Sequence, residues 1–267
     1  MGTLVCLHAH PDDESIATGG SIARAVDEGH RVVLVVATNG DHGEIPPDLA
    51  EGETLVDRRR AETMRSAEVL GIHRVEWLGY ADSGMTGWAQ NSDAGSFLQA
   101  PLDEAAERLA AILREENADV LTCYDWHGGY GHPDHIKVHQ VGHRAAELAG
   151  TRRVVEATMN RDAFARLVAM ARESGMETGA DEDDFDPTAP ADDGNPFGST
   201  EAEISLAVDV SAYVARKRES IRCHASQITD SGFFAKMPDE AFAMAFGTEW
   251  FIVPGADHAL RPGWLFE

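Results

Sequence analysis

Apolar residues run unbroken from Leu4 to Leu7, and after a polar interval Ile16, Ile22, Ala23 and Val26 recur at helical spacing as far as Gly29. A solid run followed by a one-sided stripe predicts a strand, a loop and a helix over Ser15 to Glu28. The next solid run, Arg31 to Thr38, has the make-up of a strand covered on both faces, as in a parallel sheet. The alternation then continues. Helical stretches at Thr54 to Leu70, at Pro101 to Glu116, one ending about Ala149 and one at Arg161 to Glu173 separate strands at Arg74 to Leu78, Ala118 to Tyr124 and Arg152 to Thr158. This succession predicts an α/β fold, Rossmann-like, with a mostly parallel sheet flanked by helices.

Two stretches break the rhythm early: Asn39 to Gly52, with its glycines and prolines, and Gly79 to Ala100, long enough for a lid or a substrate wall. Residues 174–203 form an acidic loop in which Asp181, Glu182, Asp183, Asp184, Asp186, Asp192 and Asp193 mix with prolines, a composition expected of a mobile rim. Beyond it come a strand at Ile204 to Val210, helices at Ala212 to His224 and Asp239 to Phe246, and a strand at Trp250 to Val253. These are expected to make a small C-terminal α/β cap, residues 204–267, packed on a core of residues 1–173 within a single domain.

Charge and cysteine usage narrow the partners. The 267 residues include 46 acidic against 22 basic side chains, a net charge of −24. Such a surface repels nucleic-acid phosphates and anionic membranes, so neither is expected as a partner. Cys6, Cys123 and Cys223 are an odd, sparse set and not a disulfide framework. No run approaches the ~18 apolar residues of a membrane helix, and no signal segment opens the chain, so a cytoplasmic protein is expected.

Chemistry gathers where strands should end, which in an open α/β sheet is where ligands bind. His8-Ala9-His10-Pro11-Asp12-Asp13-Glu14 follows the first strand, and Asp125-Trp126-His127-Gly128-Gly129-Tyr130-Gly131-His132-Pro133-Asp134-His135 follows the strand ending at Tyr124. Alone, the first cluster reads equally well as a packed histidine with acids capping a helix. Together the two predict a divalent metal on His10, Asp13 and His135, with a position left for water. A rival set is His135, His139 and His143, at four-residue intervals along one helical face. With the first set, Asp12 is the base for the water, and His132 donates to an oxyanion or protonates a departing amine. Asp134 then orients or charges His132, and Tyr130 either hydrogen-bonds a substrate carbonyl or packs in its loop. The alternative from another class is a non-enzymatic Rossmann-like nucleotide-binding protein using Gly19-Gly20. It lacks a G-x-G-x-x-G, and acids crowd the place of a pyrophosphate.

His10-Pro11-Asp12-Asp13-Glu14, taken with Tyr130-Gly131-His132-Pro133-Asp134-His135, resembles the paired motifs of the PIG-L (LmbE-like) family of zinc-dependent N-acetylglucosaminyl deacetylases. Arg59-x-x-Glu62, Leu70-Gly71, Lys217 and His224-Ala225-Ser226-Gln227 agree with it, so the resemblance spans nearly the whole chain. It implies Zn2+ or Fe2+, one per chain, on His10, Asp13 and His135, with Asp12 as general base and His132 serving the oxyanion and the amine. It also implies that Arg59 helps hold the substrate, a small-molecule amino-sugar conjugate that loses an N-acyl group, acetyl. Within the family the pattern is closest to the mycothiol-pathway branch, with its deacetylase of an N-acetylglucosaminyl inositol and its amidase of S-conjugates. The amidase type carries a lysine where this chain has Ala17.

Overall fold

The computed structural model of the chain describes residues 1–174, 188–191, 193–228, 233–257 and 259–267. The solid apolar runs become the middle of one sheet. β1 (Thr3–His8) lies parallel to β2 (Arg31–Thr38) on one side and β4 (Val120–Tyr124) on the other, with Cys6 opposite Leu34 and Thr122. Leu4, Leu7, Val33 and Val35 are wholly buried, and each such aliphatic side chain contributes about 1.5–3 kcal/mol. β3 (Arg74–Tyr80) joins beyond β2 and β5 (Arg153–Thr158) beyond β4, both parallel.

The crossovers are helical. α1 (Asp13–Ala17) and α2 (Gly19–Asp27) link β1 to β2, where the hydrophobic spacing had predicted one helix. They part at Thr18, whose carbonyl accepts the Ile22 amide while its own amide donates to Glu14. The Thr18 hydroxyl bonds His8 Nε2 at 2.8 Å, which holds the break in place. α3 (Leu55–Leu70) starts with a Thr54–Asp57 capping box and stops at Gly71, whose φ of +80° a side chain would resist. α4 (Leu102–Glu115), α5 (Pro133–Ala149) and α6 (Arg161–Ser174) complete the core.

The C-terminal segment extends the sheet as well as covering it. β6 (Leu206–Asp209), β7 (Thr248–Ile252) and β8 (Arg261–Pro262) carry the strand order to β3-β2-β1-β4-β5-β7-β6-β8, with β7 antiparallel to both neighbours. The expected cap is thus hydrogen-bonded to the core through β5. Its helices are α7 (Val214–Cys223), α8 (Phe233–Lys236) and α9 (Asp239–Phe246), and α7 packs on α1, α2 and α3. Of the acidic loop, residues 175–187 and Asp192 lie outside the described residues. No described helix is long and apolar enough to cross a membrane.

Candidate metal centre and active site

Strand order reverses at β1. The chain moves outward to β2 and β3, then returns to β4 on the other side, so the loops after β1 and β4 leave a crevice at their carboxyl ends. The two sequence clusters are these loops. The Asp13 carboxylate stands between both histidines expected as its partners, its Oδ2 3.4 Å from His10 Nδ1 and 3.3 Å from His135 Nε2.

Hydrogen bonds at the far side of each ring decide which nitrogen is left facing Asp13. His10 Nε2 lies 3.2 Å from Asp134 Oδ2 and must donate there, because an ionised carboxylate only accepts. His135 Nδ1 donates in the same way to the Gly128 carbonyl at 3.1 Å. Once His10 gives up its second proton to an ion, His10 Nδ1 and His135 Nε2 would offer lone pairs beside the Asp13 carboxylate in a buried pocket, a donor set that suits a divalent cation, with each ring anchored from behind. In the protein alone, burial opposes charge on His10, but Asp13, Asp134 and Asp82 outweigh it and raise its pKa well above the usual value. Burial likewise opposes ionisation of Asp13, and His135 and His10 overcome it, holding that carboxyl well below its usual range.

Local backbone makes these placements possible. A Cβ on Gly128, at φ +67°, would stand 2.3 Å from the His135 Cβ, so only glycine lets the loop close over this ring. Asp12 itself has φ +112°, a conformation costing about 1–3 kcal/mol. Arg59 holds it, donating from Nη2 to the Pro11 carbonyl at 2.6 Å and to Asp12 Oδ2 at 3.2 Å, and from Nη1 to the Gly40 carbonyl at 2.8 Å. Burial pushes the Asp12 carboxyl up to about 6, with Arg59 pulling the other way.

His132 is the N-cap of α5, and its Nδ1 accepts the Asp134 backbone amide at 3.1 Å. Burial, then the neighbouring His10 and His135, lower its pKa to about 3, so near neutral pH it is uncharged with its proton on Nε2. The Asp134 carboxylate raises the His132 pKa by its charge, against burial and the other histidines, but its hydrogen bonds go elsewhere. It faces His10 Nε2 and the Ser83 amide and hydroxyl, because the first turn of α5 points it at the β3 loop. The Tyr130 hydroxyl lies 3.4 Å from His135 Nε2, in the same pocket.

Asp82 and Ser83 are site residues that the sequence reading missed. Asp82 Oδ1 lies 3.5 Å from His10 Nε2, and Ser83 fixes Asp134. His10, Asp82 and Asp134 also offer atoms within 4.8 Å of one another, as do His10, His132 and His135, so His10 is common to both of these groups. The signal was available: Asp82 follows the end of β3 as the other clusters follow β1 and β4. At Gly19-Gly20, by contrast, the helix start is occupied by a carboxylate of the chain itself. The Gly20 and Ser21 amides at the start of α2 donate to the Glu249 carboxylate, each at 2.8 Å, and Lys217 Nζ joins it at 2.6 Å.

Residues 5–146 match the PIG-L model, described as GlcNAc-PI de-N-acetylase. The chain belongs to the PIG-L family. A 1D-myo-inositol 2-acetamido-2-deoxy-alpha-D-glucopyranoside deacetylase of Acidothermus cellulolyticus is 38% identical over 266 residues, covering 94% of this chain and 88% of the relative. The protein of the same description from Streptomyces avermitilis is 38% identical over 285 residues, covering 99% and 96%. The fold is that of N,N'-diacetylchitobiose deacetylase from Pyrococcus horikoshii, with a TM-score of 0.59 at 24% identity over 96% of this chain and 84% of the other.

In this PIG-L chain the C-terminal segment is bonded to the first motif. Glu14 Oε1 accepts from His224 Nε2 at 2.7 Å and from Ser66 Oγ at 2.6 Å, while Glu62 takes the Ser226 amide and hydroxyl. A cavity of about 200 Å³ opens beside Asp13 and His135, lined also by Tyr130, Phe164, Phe246 and Trp250.

Proposed function

We propose that the protein is a metal-dependent deacetylase that hydrolyses the acetamide of a glucosamine-containing small molecule, the class to which the relatives' 2-acetamido-2-deoxyglucosyl inositol belongs. The observation that carries this reading is the convergence of Asp13 with His10 and His135, with Asp12 adjacent. The residues fit a Zn2+ ion, with Fe2+ tolerated by the same ligands. Such an ion supplies Lewis acidity, acidifying water and polarising the amide carbonyl.

The remaining chemistry belongs to the side chains. Asp12, ionised, takes a proton from the attacking water as its oxygen bonds to the carbonyl carbon, and returns that proton to the nitrogen as the C–N bond breaks. Acetic acid and the amine result, and the remaining water proton passes from the acid to the amine, so that acetate and an ammonium group leave. His132, neutral with Nε2–H, donates to the oxyanion, and Tyr130 adds a second donor. Arg59 keeps Asp12 in its strained pose and so helps hold the loop that faces the substrate. Free cysteines at Cys6, Cys123 and Cys223 suit a reducing, cytoplasmic setting.

Amine release from a panel of N-acetylglucosamine conjugates, measured before and after chelation, tests the reading. Activity should vanish on chelation and return with Zn2+ or Fe2+, and Asp12→Ala should retain the ion without turnover. Turnover in chelated protein, or none from any conjugate after metal is restored, would overturn it.

A further inference from the structure

We propose that His139, His143 and Glu156 form a second divalent-metal site, separate from the His10–Asp13–His135 centre and specific for borderline transition ions. His139 and His143 are one turn apart on the same face of α5, with ring centroids 4.6 Å apart. Glu156 rises from the adjacent β5 between them, its Oε1 2.7 Å from His143 Nε2 and 3.6 Å from His139 Nδ1. Each of the three residues offers a ligand atom within 4.8 Å of the others. Ligand atoms around a tetrahedral ion at about 2.0–2.2 Å sit roughly 3.3–3.6 Å from one another, so small side-chain adjustments suffice.

The surroundings point to a cation. Glu156 is 7% exposed, and among the described residues the only cationic or imidazole groups within 4.0 Å of its carboxylate are these two histidines. Without an ion, the Glu156 carboxylate is held by the His143 Nε2 hydrogen bond at 2.7 Å, and an ion between them would take the place of that proton. His139 Nδ1, the nitrogen that faces Glu156, also lies 3.1 Å from the Tyr124 carbonyl, a contact it would give up on taking the ion. Both rings keep some solvent access, 25% and 32% by side chain, which gives an ion a way in and leaves room for water as the remaining ligand. Two imidazoles and one carboxylate select Zn2+, Ni2+, Co2+ or Cu2+ over Mg2+ and Ca2+. Bound there, an ion ties α5 to β5 one turn beyond His135.

Titration of metal-stripped full-length protein with Zn2+, and with Co2+ followed by its visible absorption, tests the site. Glu156→Gln and His143→Ala should each take up one equivalent fewer than the unaltered chain, or bind that equivalent at least tenfold more weakly, with deacetylase activity retained. Circular dichroism checks that each variant folds, and Glu156→Gln preserves side-chain volume should His143→Ala not. Equal stoichiometry and affinity in the unaltered chain and in a folded variant would overturn the proposal, whatever the fate of the first site.

Discussion

His132 and Asp134 lie two residues apart, yet they work on different partners. The Asp134 amide fixes the His132 tautomer, and the Asp134 carboxylate turns to His10. A neutral Nε2–H stabilises charge that exists only beyond the ground state, so its removal should show in kcat. His132→Ala is expected to lower kcat by about 10²–10³ with KM little changed, measured by amine release. A rise in KM at constant kcat would make His132 a substrate-binding residue. The identities of the side chains in this pocket were legible because two motifs carry them. Their pairings were not, since Asp134 has His132 as its neighbour in sequence and His10 as its neighbour in space. Asp82 escaped for a related reason: its Oδ1 accepts the Gly84 amide at 2.8 Å, so Asp82-Ser83-Gly84 reads as an ordinary turn.

Among the elements, α2 shows how a helix start can be occupied from far along the chain. Its first amides are taken by Glu249 of β7, which also pairs with Lys217 of α7, and both side chains are 2% exposed. Removing one member leaves a buried charge with no partner. Glu249→Ala should therefore cost about 3–5 kcal/mol, read from urea unfolding at neutral pH. Lys217→Met combined with Glu249→Gln should recover part of that loss, because neither charge then remains. A loss under about 1 kcal/mol for Glu249→Ala would mean water reaches the pair. Periodicity placed the core strands and helices to within a few residues, because burial on both faces leaves solid apolar runs. It ran through the break at Thr18, where Gly19 and Gly20 follow and the Thr18 hydroxyl bonds His8.

For the molecule as a whole, the consequential feature is that one sheet runs from β3 to β8, with the C-terminal strands bonded through β5. Sequence suggested a cap because the segment follows a long acidic interval. The antiparallel pairing of Glu156 with Ile252 and of Thr158 with Trp250 joins residues nearly a hundred positions apart, and no local pattern announces such a pairing. The attachment continues on the helical face, where Glu14–His224 and Glu62–Ser226 tie the first motif and α3 to the residues after α7. Unfolding the C-terminal segment alone would break these buried bonds and strip Glu249 from α2 and Lys217. The cost of that partial state approaches the cost of unfolding everything, so it should not be populated. Calorimetry on the metal-free protein is expected to show a single transition whose calorimetric and van't Hoff enthalpies agree. Two resolved transitions would instead make residues 204–267 a unit that opens independently, and the first motif would then have to keep its geometry without His224.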